Sequence, residues 1–159
     1  MTEFTSSPTP TENADAAARQ KLMATLAASS PEAVAERFSA LPGQSYELVR
    51  QPETGLVMVR GRMGGTGSPF NLGEVTVTRC VVRLETGETG NGYSLGRNKQ
   101  KALQSAVIDA LWQQPAMKAR IEAEVIEPLA RNRETARETV REETEATKVN
   151  FFTMVRGDN

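Results

Sequence analysis

From about Ala14 to Ala28 the apolar positions recur with a helical period: Ala18, Leu22 and Leu26 form one stripe, with Met23 and Ala27 beside it. Ser30-Pro31 then supplies a cap followed by proline at a first helical position. Val34, Phe38 and Leu41, at i, i+4 and i+7, predict a second helix ending at Pro42-Gly43, so the two helices form an αα-hairpin. The period changes at Tyr46. YELVR and GLVMVRGR alternate or run apolar around PETG, a turn-forming stretch, which predicts a β-hairpin. After the glycine-rich loop MGGTGSPFNLG comes a long strand, Glu74 to Glu85, turning at Thr86-Gly87 into a return strand that ends near Leu95. In that long strand Val75 and Val77 share one face while Cys80, Val82 and Leu84 share the other. This calls for a bulge near Thr78-Arg79 or for cover on both faces.

Helical spacing returns after Asn98, a capping residue, with Leu103, Ala106, Val107, Ala110 and Leu111 on a continuous stripe. Pro115 opens another helix carrying Met117, Ile121, Val125 and Leu129, and Pro128 is expected to kink or end it. Between 130 and 148 the one substantial apolar side chain is Val140, and Glu134–Arg137 and Glu138–Arg141 are spaced to pair. This is either a solvated helix or an arm that carries the next segment away from the core. That segment, KVNFFTMVRG, alternates as a strand: Val149, Phe151 and Val155 on one face, Phe152 and Met154 on the other, with Arg156 following. Two apolar faces left in water at a strand edge would aggregate. The tail must therefore dock, on its own sheet or, as the intervening polar arm favours, on another subunit.

The pattern predicts an α+β protein: an N-terminal αα-hairpin, two antiparallel β-hairpins forming a sheet, C-terminal helices and a terminal strand-like tail. Residues 1–12, polar with Pro8 and Pro10, are expected to be a flexible N-terminus; 13–129 form one α+β domain; 130–159 are a helical arm and apolar C-terminal tail.

Composition narrows the chemistry. The 159 residues contain no histidine and one cysteine, Cys80. Ser-His-Asp and Cys-His catalysis, histidine-ligated metals and an internal disulfide are thereby excluded within this chain. The hydrophobic content of 38% with only 5% aromatics supports a thin core that benefits from a partner. The N-terminus resembles no signal peptide and no apolar run is long enough to span a bilayer, so the expectation is a cytoplasmic protein with no membrane partner. The formal net charge of -1 and a mild basic excess around the strands do not make a nucleic-acid surface. Arg50, Arg60, Arg62, Arg79 and Arg83 lack the interleaved exposed aromatics that single strands stack upon.

The strongest local candidate is the loop RGRMGGTGSPFNLGE. Alternation puts Arg60 and Arg62 on one strand face, and the backbone amides of Gly64, Gly65 and Gly67 lie beside them, with Asn71 and Glu74 following. Such a set can cradle an anion, or it can be a tight turn that shapes an interface. The spacing matches neither GxxxxGK[ST] nor GxGxxG. Glu74 is a lone carboxylate, Cys80 reads as a small core residue, and Trp112 and Phe70 read as packing residues. No catalytic residue and no metal site emerges.

The segments GLVMVRGRMGGTGSPFNLGEVTVTRCVV (55–82), GNGYSLGRNKQKALQSAVIDAL (90–111) and ATKVNFFTMVRG (146–157), with RQKLMATLA (19–27), resemble the PhnG subunit family of the carbon–phosphorus lyase core complex. FNLGE, GYxLGR and FFTMVRG, in that order, carry the likeness. Leu22 stands where that family's pattern would place tryptophan, and Asn150 where it would place an acidic residue. The resemblance implies an accessory, scaffolding subunit that supports synthesis of α-D-ribose 1-methylphosphonate 5-triphosphate from ATP and methylphosphonate. It implies PhnH-, PhnI- and PhnJ-type partners, most directly the PhnI-type subunit. ATP would be a substrate of the complex, with no cofactor in this chain. The alternative is a direct contribution to the active site, with Arg60, Arg62 and the glycine loop gripping triphosphate or phosphonate.

Overall fold

Helix α3, Lys99–Trp112, is the centre of the fold, and it is buried on nearly every side. The computed structural model of the protein describes residues 10–147. Asn98 caps α3 as its sequence position predicts, its side-chain oxygen accepting from the Lys101 amide at 2.8 Å. Ala102, Ala106, Val107, Ile108, Ala110 and Leu111 are each at most 2% exposed. One apolar stripe was expected here. The helix is enclosed more completely because a sheet covers one side and the other helices pack around the rest.

The sheet has three antiparallel strands in the order β1-β2-β3: β1 Tyr46–Arg62, β2 Pro69–Leu84 and β3 Thr89–Leu95. The α+β class and the N-terminal helix pair, α1 Pro10–Ala28 and α2 Pro31–Ser39, are as predicted. So is the cap of α2, where Ser30 accepts from the Ala33 amide at 3.2 Å. Helix α1 starts at Pro10, one turn earlier than the apolar stripe requires, and buries Leu22 and Leu26. Leu22 therefore fills its core position without a tryptophan.

The first hairpin turns in a different place. PETG does not reverse the chain; β1 runs straight through it, and the reversal comes at a 3-10 turn over Met63–Gly65. Pairing with β2 from Tyr46↔Leu84 to Arg62↔Pro69 overrides the local turn propensity, and the surplus residues are absorbed by register shifts between Leu48 and Arg50 and between Arg50 and Glu53. Pro52 is tolerated because β1 is an edge strand. The phase change foreseen along β2 is thus met by irregularities on β1 opposite Val81–Arg79, while Val77 and Cys80 are both buried, on opposite faces.

Beyond Trp112 the chain stays helical: α4 Pro115–Ile121, one π turn over Glu122–Ile126, then α5 Glu127–Ala146. Pro128 neither ends the helix nor breaks it. The wide π turn lies where the proline ring would otherwise press on the carbonyl one turn earlier, and the Glu127 amide bonds back to Glu122 O. Ile121, Val125 and Leu129 are buried as their spacing predicts; past Ala130 nearly all of α5 is exposed. On it Arg137 meets Glu134 at 4.0 Å as expected, whereas Arg141 pairs with Glu145 at 3.2 Å and not with Glu138.

Candidate functional site

Strand β3 ends at Leu95, opposite Val77, but β1 and β2 continue past it as a two-stranded ribbon closed by the turn at Met63–Gly65. Residues 55 to 76 make this ribbon, and among the described residues no helix covers its tip. Leu56, Met58, Met63, Phe70 and Leu72 are between 44% and 78% exposed. Phe70, expected to be a packing residue, lies over Gly61, where an added Cβ would stand 3.6 Å from the ring. These side chains are apolar by β-propensity, yet they lie outside the core. A set of large exposed apolar side chains on one projection is the kind of surface that partners cover.

The predicted loop residues all fall on this ribbon, though most of the loop is strand. Arg60 pairs with Asn71 across the ladder, and Met58 pairs with Glu74, so Arg60, Arg62, Asn71 and Glu74 are brought together near the tip. The glycines serve the reversal. Gly64 has a φ of 60°, and a Cβ on Gly67 would stand 2.7 Å from the carbonyl oxygen of Met63. Arg62 ties the turn down, donating from Nη1 to Gly67 O at 3.3 Å. Among the described residues neither Arg60 nor Arg62 meets a carboxylate. The other basic side chains of the sheet are occupied: Arg79 meets Glu53 at 2.9 Å, Arg50 meets the same carboxylate at 3.5 Å, and Arg83 meets Glu47 at 3.1 Å. The predicted tail residues Val149, Phe151, Phe152, Met154, Val155 and Arg156 lie outside the described residues.

Residues that carry chemistry elsewhere serve the fold. Cys80 is buried, and burial pushes its thiol pKa up, against reactivity; its Sγ lies 3.4 Å from Arg50 O. Trp112 donates to Glu122 at 2.6 Å. Sequence reasoning missed a polar network around Asp109, fully buried, which accepts from Arg19 Nε at 2.9 Å, from Arg19 Nη2 at 2.7 Å and from the Asn91 amide at 2.8 Å. A lone Asp inside an apolar helical stripe was the one available signal. Lys101 is buried too, donating to Ala27 O at 2.7 Å and so closing the end of α1; burial lowers its pKa, partly opposed by Glu32. Among the described residues no cluster of three metal-ligating side chains occurs, and no helix is long and apolar enough to cross a membrane.

Residues 17–157 match the family model described as phosphonate metabolism protein PhnG. The chain belongs to the PhnG family. One relative, the α-D-ribose 1-methylphosphonate 5-triphosphate synthase subunit PhnG of Rhizobium meliloti (strain 1021), is 54% identical over 111 residues, 70% of each chain. The matched range takes in the residues of the whole ribbon, the glycine-rich start of β3 and α3.

Proposed function

We propose that this protein is a non-catalytic subunit of an α-D-ribose 1-methylphosphonate 5-triphosphate synthase, acting in phosphonate catabolism by holding the complex together. The observation that carries this is the 54% identity to a subunit of that name. The described residues support a binding role, since Leu56, Met58, Met63, Phe70 and Leu72 are all exposed on the ribbon. In this reading the protein works in the cytoplasm beside PhnH-, PhnI- and PhnJ-type subunits, most directly the PhnI type, and ATP is a substrate of the assembly. The C-terminal segment with Val149, Phe151, Phe152, Met154, Val155 and Arg156 is a second anchor on the partner. The test is co-expression of the tagged full-length chain with those three subunits. Stable co-purification, with synthase activity that depends on the chain, is expected; an active complex formed equally well without it would overturn the reading.

A second reading has its own observation, the two guanidiniums with no carboxylate among the described residues. Arg60 and Arg62 would then grip triphosphate or phosphonate. Replacing both with Ala separates the two readings. A subunit interface predicts weaker assembly with KM for ATP unchanged in the complexes that form; a phosphate grip predicts normal assembly with a raised KM. The interface is favoured because Arg62 is already engaged in closing its own turn.

A further inference from the structure

The three edges of this sheet are not equivalent. At the start of β3 two outward backbone groups are occupied by side chains: the Asn91 amide donates to Asp109 at 2.8 Å, and Thr89 O accepts from Gln113 at 2.8 Å and from Arg19 at 3.3 Å. Along β1 the first half of the edge carries Pro52 and two register irregularities, both of which discourage pairing. On β2 the situation differs. Strand β3 leaves it early, since Gly96, with a φ of 84°, turns the chain toward the Asn98 cap. The last ladder bond on that side runs from the Gly96 amide to Thr76 O at 2.8 Å. Because a strand residue points its N–H and C=O to the same side and successive residues alternate, the N–H and C=O of Glu74 face the space β3 has vacated. Beyond it the irregularity at Val59/Arg60 leaves Leu72 as the extra residue.

The vacated edge, residues 69 to 75, is about 23 Å long at roughly 3.3 Å per residue, with a single bulge at Leu72 and its one proline, Pro69, at the far end, which leaves room for a short strand beside Glu74. Exposed Phe70, Leu72 and Leu95 border it, and Arg60 and Arg62 lie on the neighbouring strand. We infer that an extended segment of a partner subunit, apolar and flanked by acidic side chains, adds to the edge of β2 at residues 69–75 and continues the sheet along the line that β3 leaves. This rests on the subunit reading above and names how the partner is held. Charge selects the occupant. This chain's own KVNFFTMVR segment carries Lys148 and Arg156 and would bring like charge to Arg60 and Arg62, whereas an acidic flank would neutralise them.

The test is Glu74→Pro in the full-length chain, co-expressed with the PhnH-, PhnI- and PhnJ-type subunits. Proline removes the outward N–H and leaves the ladder to β1 intact, since Glu74 and its partner Met58 both point away from that ladder. Glu74→Ala keeps the N–H and is the control; Met58→Pro blocks the opposite edge, with Met58→Ala as the control for its lost side chain. Glu74→Pro is expected to weaken assembly at least tenfold with an unchanged melting temperature of the free chain, while Glu74→Ala assembles within twofold of wild type and Met58→Pro within twofold of Met58→Ala. If Glu74→Pro lowers that melting temperature, the charge reversal Arg60→Glu with Arg62→Glu decides: a tenfold loss supports the inference and normal affinity overturns it. Equal assembly by Glu74→Pro and Glu74→Ala, or loss with Met58→Pro alone, overturns it. So would a dimer of the free chain that Glu74→Pro abolishes, because a second copy would then occupy the edge. A wild-type chain that co-purifies with none of the three subunits defeats the subunit reading itself, and the strand addition with it.

Discussion

Two glycines decide how closely the sheet and its central helix approach. A Cβ on Gly90 would stand 1.9 Å from Ala106 O, and one on Gly92 would stand 1.8 Å from Ala102 O, both backbone atoms that cannot move aside. Strand and helix backbones are therefore in direct contact, with Ala102, Ala106 and Ala110 one helical turn apart on the facing side. Gly92→Ala is expected to cost more than about 4 kcal/mol or to prevent folding. Gly73→Ala, where an added Cβ meets nothing within 4 Å, should change stability by less than about 1 kcal/mol. Chemical denaturation of both variants checks the contrast. Asp109→Ala removes the acceptor of three hydrogen bonds from a site with no exposed side-chain surface, and should cost about 3 kcal/mol, less than for a wholly enclosed pair because Arg19 is a third exposed. Cys80 makes a prediction about pH. Burial raises its pKa, so the folded state favours the neutral thiol. Its contribution to stability is present below the unfolded value of about 8.5 and is lost as the pH rises through the folded one. The stability advantage of wild type over Cys80→Ala should therefore shrink above about pH 8.5, as unfolding titrations at several pH values would show. Synthase turnover should not respond to Cys80→Ala.

The elements show local preference yielding to pairing. PETG has the residues of a turn, but β2 offers β1 a continuous partner, and two register shifts cost less than ending a seventeen-residue strand. The π turn before Pro128 makes the same point in a helix: continuing keeps Leu129 in the core, so the backbone widens by one residue instead of stopping. The ribbon is the opposite case, an element that extends beyond what its own domain can bury. Leu56→Gln combined with Leu72→Gln should leave the melting temperature of the free chain within a few degrees of wild type, since both residues are about two-thirds exposed, while improving its solubility and weakening assembly. A large fall in melting temperature would show that the ribbon is packed in solution, contrary to the proposed interface role.

At the scale of the molecule, the core lies between the sheet and α3, with the ribbon and α5 as projections. Helix α5 leaves the core after Leu129 and carries exposed Val140 and mostly charged residues toward the C-terminal segment. The protein alone should fold but be cut by protease beyond residue 130, and the assembled complex should protect those sites; equal cleavage in both states would argue against an arm that docks. Phe151→Ala with Phe152→Ala should abolish co-purification while the free chain keeps its circular dichroism and melting curve. An earlier melt in isolation would place the segment in this chain's own sheet.

Much of this was legible in the chain itself because it depends on neighbours in sequence. Periodicity located the α1, α3 and α4 stripes, Ser30 and Asn98 announced their helices, and alternation located the sheet, since caps and amphipathic faces are written within a few residues. The same locality brought Arg60 and Arg62 to one face. Only the tertiary structure decided where β1 reverses, because that depends on which strand it pairs with. Only it decided that Phe70 lies in solvent while Asp109 and Lys101 lie inside, because burial is set by what other elements cover. Gly90 and Gly92 read as turn-forming or permissive residues until a helix backbone is placed against them; then the absence of a Cβ becomes the condition for the fold. The edge of β2 that β3 vacates has no trace in β2's own residues, since it exists through the early departure of β3 at Gly96.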